Sequence, residues 1–253
     1  MNSNQLTLRI GVLATILYIA TMGLGMFVMH SIVGGVYGEP SMLGTLVWVE
    51  ILLSLICIYF VRQYSTWRAV GFGHIQWKHT LWLAPGVLLM AFLQWPSLIP
   101  AIGGASPDKM SSFGLIVLTT LFVGFSEELM FRGILLRGAL TETSIMQAIL
   151  ISAAGFSLLH AVNVFGGAPL VAVPFQLVLT FVAGLFFAPV ALKVRNLIPL
   201  MIFHWVWDTT TLSATLFGVA NPTFGFLNAG AGLIMFLILW YLMRKETPAS
   251  VRC

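Results

Sequence analysis

The sequence predicts an all-α, polytopic transmembrane helix bundle of about eight spans, and three observations carry that reading. Of 253 residues, 59% are hydrophobic and only 8% are charged, whereas soluble domains carry about 25% charged residues. Mean hydropathy is +0.98. The apolar residues also fall into runs of about 20, long enough to cross a bilayer as helices. One compact bundle is expected, with no appended soluble domain. The formal charge of +4 comes from basic residues scattered singly at segment ends, with no patch interleaved with aromatics, so no nucleic-acid partner is expected. Cys57 and Cys253 are too few and too badly placed for a disulfide framework or a cysteine metal site.

In chain order the apolar segments fall at 10–29, 41–61, 80–102, 113–136, 144–164, 170–192, 197–217 and 226–243, each bounded by polar, Gly or Pro clusters. The first follows Arg9 and has no small-residue cleavage site after it, so it reads as a retained span and not a signal peptide. Gly23, Gly25, Gly34, Gly35 and Gly38 suit close helix approach or tight turns. The second carries Cys57 as a small core residue and Glu50 as a lone polar contact or a span end. Between the second and third, Arg62 to His79 mixes Arg62, Arg68 and Lys78 with Tyr64, Trp67, Phe72 and Trp77, the pattern of an interfacial helix. His74 and His79 there read as solvated. A turn at Gly103 to Asp108 precedes the fourth.

Alternating the turns puts Arg9, Arg62, Arg68, Lys78, Arg137, Lys193, Arg195, Arg244, Lys245 and Arg252 on one side and Lys109 alone on the other. By the positive-inside rule both termini are cytoplasmic, and the count works only with an even number of spans. Cys253, with nothing after it in the sequence, is expected not to be a C-a-a-X prenylation site.

The fourth segment is the costly one. Glu127, Glu128 and Arg132 lie inside an otherwise apolar run, at about 2.5 to 3.5 kcal/mol per charge on insertion scales. On a helix, Glu128 and Arg132 share a face four residues apart with the acid first, the favourable order for a pair. Glu127 points about 100° away and is left without a local partner. Further ionisable residues recur in later segments: His160, four after Phe156, and His204, four before Asp208. Such groups face a bundle interior or a wet cavity. A carboxylate with histidines in a dry site can deprotonate water and stabilise the oxyanion of peptide hydrolysis. The same set could instead hold zinc, with His160, His204, Glu127 and Asp208 as candidate ligands. No H-E-x-x-H helix is present. Ser126 and Ser157 lack a G-x-S-x-G setting.

Glu127-Glu128-x-x-x-Arg132, Phe156-x-x-x-His160 and His204-x-x-x-Asp208, in that order on separate spans, resemble the CPBP or Abi family of CAAX prenyl protease-like intramembrane endopeptidases. The resemblance covers roughly residues 113 to 215, with Gly184 to Pro199 as the linker before the last motif. It implies that Glu127 and His160 activate the hydrolytic water and that His204 and Asp208 bind the oxyanion or complete the site. Glu128, Arg132 and Phe156 would support them. The family's last motif usually ends in Asn, with Asp as a bacterial variant. The resemblance leaves open a metalloprotease with zinc as cofactor or a metal-independent glutamate-type enzyme. It implies a peptide or lipidated protein substrate, prenylated or exported, at the lipid bilayer; the short loops and eight-span economy suggest a bacterial cell membrane.

The sequence therefore divides into N-terminal spans at 1–112, a catalytic core at 113–217, and a last span with a cytoplasmic tail at 218–253, all within one bundle. Two other functions compete with the endopeptidase: a non-catalytic membrane scaffold or bacteriocin-immunity factor, and a proton-coupled transporter, against which stands the absence of half-to-half symmetry. One expectation follows from depth. At ~1.5 Å per residue, Glu127 lies about 15 Å from its cytoplasmic end, His204 about 10 Å and His160 about 24 Å. For these to meet, either the fifth span begins outside the membrane, with Glu142 to Gln147 projecting, and is tilted, or its boundary lies elsewhere.

Overall fold

The computed structural model describes residues 5–251; Arg252 and Cys253, whose roles the sequence suggested, lie outside them. Eight long helical segments follow one another: α1 (Leu8–Ser31), α2 (Pro40–Tyr64), α3 (Trp77–Gly103), α4 (Pro107–Ala139), α5 (Ile145–Gly166), α6 (Val173–Val194), α7 (Ile198–Phe217) and α8 (Pro222–Met243). Among the described residues there is no strand, only an isolated bridge between Phe72 and Asn196. Seven of the eight are long and apolar enough to cross a membrane. The exception is α7, of spanning length at 20 residues. Its His204, Asp208 and run Thr209-Thr210-Thr211 lower its hydropathy. The chain is an integral membrane protein, and its most polar long helix is packed within the bundle.

The helix ends follow local chemistry. Thr7 caps α1 through its side chain, and Ser144 with Gln147 forms a reciprocal capping box at α5. Pro222 occupies the first turn of α8, where a missing N–H costs nothing. Proline explains the irregularity of α3, which passes from a 3₁₀ start through a π-helical turn at Met90–Gln94 to a short helix containing Pro100.

At the centre is α4, packed against α1, α2, α5 and α7. Close approach is set by glycine: a Cβ on Gly124 would lie 2.8 Å from the Met201 carbonyl oxygen of α7, and one on Gly184 of α6 would lie 2.7 Å from Ala153 Cα of α5. The Trp205 indole donates to Val117 O and the hydroxyls of Thr120 and Thr209 pair, which fixes α4 against α7 in rotation as well as distance. Gly124→Val should destabilise the protein by about 1–3 kcal/mol through overpacking, read as a lower unfolding midpoint in detergent. An unchanged midpoint would mean that the α4–α7 seam is looser than described.

Two expectations are corrected. The segment between Tyr64 and Trp77 is not an interfacial helix. It is a loop held to the α6–α7 connection by Gly73 N to Arg195 O, Gln76 N to Val194 O, Leu197 N to Gly71 O and Asn196 Nδ2 to Gly73 O. Gly71, at φ +113°, adopts a conformation that breaks a helix there. Likewise Gly184 to Pro199 is not a linker: α6 continues to Val194, and the connection is Arg195 to Leu197 alone, turned by Arg195 at φ 58°.

One end of the bundle gathers the basic residues. Arg137 donates to Val251 O, Arg195 donates to Ser250 O, Lys193 pairs with Glu246, and Leu8 N donates to the exposed Glu142.

Candidate active site

The charged stretch of α4 is not a regular α-helix. From Glu128 to Leu135 the backbone is π-helical, and every side chain in that stretch is buried. Wide turns of this kind cost stability and occur mostly at functional sites. Here the wide turn carries two ionisable side chains, Glu128 and Arg132, into the interior, directly after the buried Glu127.

Glu128 and Arg132 pair as the spacing predicts, Nη1 to Oε1 at 3.0 Å, both fully buried. Aromatic rings cover the guanidinium, with Phe156 at 4.1 Å and Phe187 at 5.0 Å from ring centroid to Cζ. Neither Nε nor Nη2 has a hydrogen-bond acceptor. The same Oε1 of Glu128 also accepts from His204 Nδ1 at 2.9 Å. Glu128 is therefore more than half of a structural clasp, because it fixes the orientation of the imidazole on α7. Phe187 stacks on that imidazole at 5.9 Å, and Phe156 meets it edge-on at 6.0 Å.

His204 Nε2 then faces two further carboxylates, Asp208 Oδ2 at 3.4 Å and Glu127 Oε2 at 3.8 Å. With Glu128 at Nδ1, both ring nitrogens have acceptors in front of them. His160, on α5, has Nδ1 3.0 Å from Phe156 O. A carbonyl can only accept, so Nδ1 carries the proton, and a neutral ring keeps its lone pair on Nε2.

Glu127, His160, His204 and Asp208, from α4, α5 and α7, line one cavity of about 280 Å³. Glu127 and His160 come close in level because α4 runs on to Ala139, beyond the expected end at 136: Glu127 lies twelve residues before Ala139, and His160 fifteen after Ile145. The remaining three residues amount to ~4.5 Å. A second pocket, of about 230 Å³, shares His160, His204 and Asp208 and extends between α6, α7 and α8 past Leu179, Val182, Phe186, Phe203 and Trp207. His160, His204 and Asp208 thus stand between a more polar arm, which Glu127 also lines, and an aromatic, aliphatic arm.

Sequence reasoning undervalued Glu50. It is neither at a span end nor alone: it is 1% exposed within α2, lines the polar arm and accepts from Ser126 Oγ at 2.9 Å. The signal was present, since an intramembrane carboxylate is a functional candidate by default. Ser126 and Ser157 are engaged elsewhere, Ser126 with Glu50 and Tyr18 and Ser157 with Leu177 O. His74 is exposed on the 65–76 loop, away from the cavity. Among the described residues no three His, Cys, Asp or Glu side chains group so as to share a metal ion, and both nitrogens of His204 already face carboxylates. No step below is routed through a metal.

Residues 109–210 match the family described as type II CAAX prenyl endopeptidase, Rce1-like. That segment contains Glu127, Glu128, Arg132, Phe156, His160, His204 and Asp208, and begins and ends close to the region read from the motifs. No curated protein and no solved structure matches the chain.

Proposed function

We propose, for a chain whose residues 109–210 belong to the Rce1-like type II CAAX prenyl endopeptidases, that it hydrolyses a peptide bond of a membrane-associated peptide or protein with water activated by Glu127 and His160. The observation that carries this reading is the convergence of four ionisable side chains from three helices on one interior cavity. Glu127 Oε2 has no hydrogen-bond partner among the described residues, and His160 offers the Nε2 lone pair. A water between them gives its proton to one as it attacks the carbonyl, and the same group returns that proton to the leaving amine. His204, donating Nδ1–H to Glu128 and carrying a second proton on Nε2 as the imidazolium, directs Nε2–H toward the developing oxyanion, with Asp208 as its neighbour. The apolar arm receives the hydrophobic or lipidated part of the substrate, and the polar arm receives the peptide. With Arg137, Lys193 and Arg195 gathered beside the 246–251 tail, the basic end is cytoplasmic by charge asymmetry, both termini included.

One experiment separates this enzyme from a scaffold or immunity factor and from a metalloprotease. In a strain lacking the protein, Glu127→Gln and His160→Ala should both fail to restore processing, whereas a scaffold tolerates either. On the metal-independent reading, which the absence of a three-ligand His, Cys, Asp or Glu group among the described residues supports, cleavage by the purified wild type should be unchanged by a strong chelator. Full complementation by both variants would sink the enzymatic reading, and chelator sensitivity reversed by zinc would sink the metal-independent one.

A further inference from the structure

The polar arm holds a carboxylate that the hydrolytic step leaves unused. Glu50 comes from α2, outside the matched segment 109–210, yet opens onto the same cavity as Glu127, His160, His204 and Asp208. Its Oε2 accepts from Ser126 Oγ at 2.9 Å, and Tyr18 Oη lies 2.7 Å from that Oγ. A serine hydroxyl has one proton to give. With Ser126 donating to Glu50, Tyr18 donates to Ser126, and two hydroxyls in series support one carboxylate. Ser126 precedes Glu127 in the chain, so Glu50 is tied in position to the reacting centre.

What faces these carboxylates is the telling part. No lysine or arginine lines either pocket, and Arg132 is held by Glu128 between Phe156 and Phe187. Glu50, Glu127 and Asp208 therefore share one space with two histidines and, among the described residues, no lysine or arginine. Two buried polar groups lining it lack hydrogen-bond partners, Glu127 Oε2 and the hydroxyl of Thr119, a residue 1% exposed. A wall of carboxyl groups with unmatched acceptors complements a group carrying several N–H donors, and a cation there would hold the facing carboxyl ionised.

We propose that Glu50 binds a cationic group of the substrate, a lysine or arginine side chain or a free α-ammonium, so that the preferred substrate is a basic peptide segment flanked by apolar residues. This rests on the endopeptidase reading and narrows it.

The test uses full-length protein in neutral phosphatidylcholine vesicles. Apolar decapeptide amides carry lysine or norleucine at one scanned position, with the N terminus acetylated or free, and mass spectrometry follows the products. Wild type should favour the cationic member of at least one pair by roughly tenfold in kcat/KM, mainly through KM. Glu50→Gln, which keeps an acceptor for Ser126 but removes the charge, should bring that ratio to about one. In parallel, protection of the Glu127→Ala protein against thermal unfolding by the same peptides, with and without Glu50→Gln, reads the preference without turnover. A ratio untouched by Glu50→Gln in both readouts overturns the proposal. An equal fall in kcat for both peptides of a pair also overturns it, since Glu50 would then carry a proton. Cleavage that survives Glu127→Ala sinks the hydrolytic chemistry instead, and the thermal readout still decides the role of Glu50. Should Glu50→Gln fail to fold, Ser126→Ala should lower the same ratio severalfold, and an unchanged ratio there counts against the proposal.

Discussion

Glu127→Ala protein is expected to lose cleavage by about a thousandfold or more and to unfold at the wild-type temperature or slightly above it. Both halves follow from the surroundings of one side chain. Glu127 is 6% exposed, its Oε2 has no hydrogen-bond donor, and its nearest basic atom, His204 Nε2, is 3.8 Å away. A carboxylate so buried and so poorly paired is a burden on the folded state, and removing it takes away a desolvation cost without orphaning a partner. The chemistry has no substitute. Glu128 is committed to Arg132 and His204, Asp208 lies beside His204, and Glu50 is fixed by Ser126. Single-turnover cleavage and thermal unfolding measured on the same vesicle preparation decide it. Activity within tenfold of wild type would show that water is activated elsewhere, and a large loss of stability would show that Glu127 is structural.

The contrast between Glu127 and Glu128 marks where sequence reasoning worked and where it stopped. Helix periodicity alone separated the two adjacent acids, one paired with Arg132 at i+4 and one free, and the side-chain geometry agrees. Hydropathy located all eight helical segments to within a few residues, because membrane helices are specified by long apolar runs that need no tertiary context. What was not legible depends on contacts between distant segments. Glu128 meets His204 across 76 positions of chain, and Glu50 meets Ser126 across another 76. No local spacing rule reports such pairs. The π-helical turn at Glu128–Leu135 was also hidden, since no local spacing in its residues distinguishes a wide turn from a regular one. The loop after Tyr64 misled through composition: tryptophans and basic residues suggested an interfacial helix, while Gly71 and the hydrogen bonds to Val194, Arg195 and Asn196 made it a strap.

Arg132→Ala should cost about 3–5 kcal/mol of stability, because it leaves Glu128 buried without its cation. It also empties the space between Phe156 and Phe187 that the guanidinium fills. Such a protein would accumulate poorly, and its lost activity would say nothing about mechanism. Replacing the pair together is more informative. In Glu128→Leu with Arg132→Met both charges are gone and the volume is nearly kept, so the unfolding midpoint should return most of the way to wild type. Activity should not return. His204 would have lost the acceptor that holds Nδ1 at 2.9 Å, leaving its ring free to turn Nδ1 toward Asp208 or Glu127 and its tautomer unfixed, and cleavage should stay down by at least about a hundredfold. Adding back the acid alone, as Arg132→Met with Glu128 intact, should recover little, since the uncompensated carboxylate again destabilises the fold. If the double variant regained wild-type cleavage with wild-type stability, Glu128 and Arg132 would be a clasp and nothing more. If it stayed folded and inactive, the same carboxylate oxygen would be shown to serve both the helix that carries Glu127 and the imidazole that faces it.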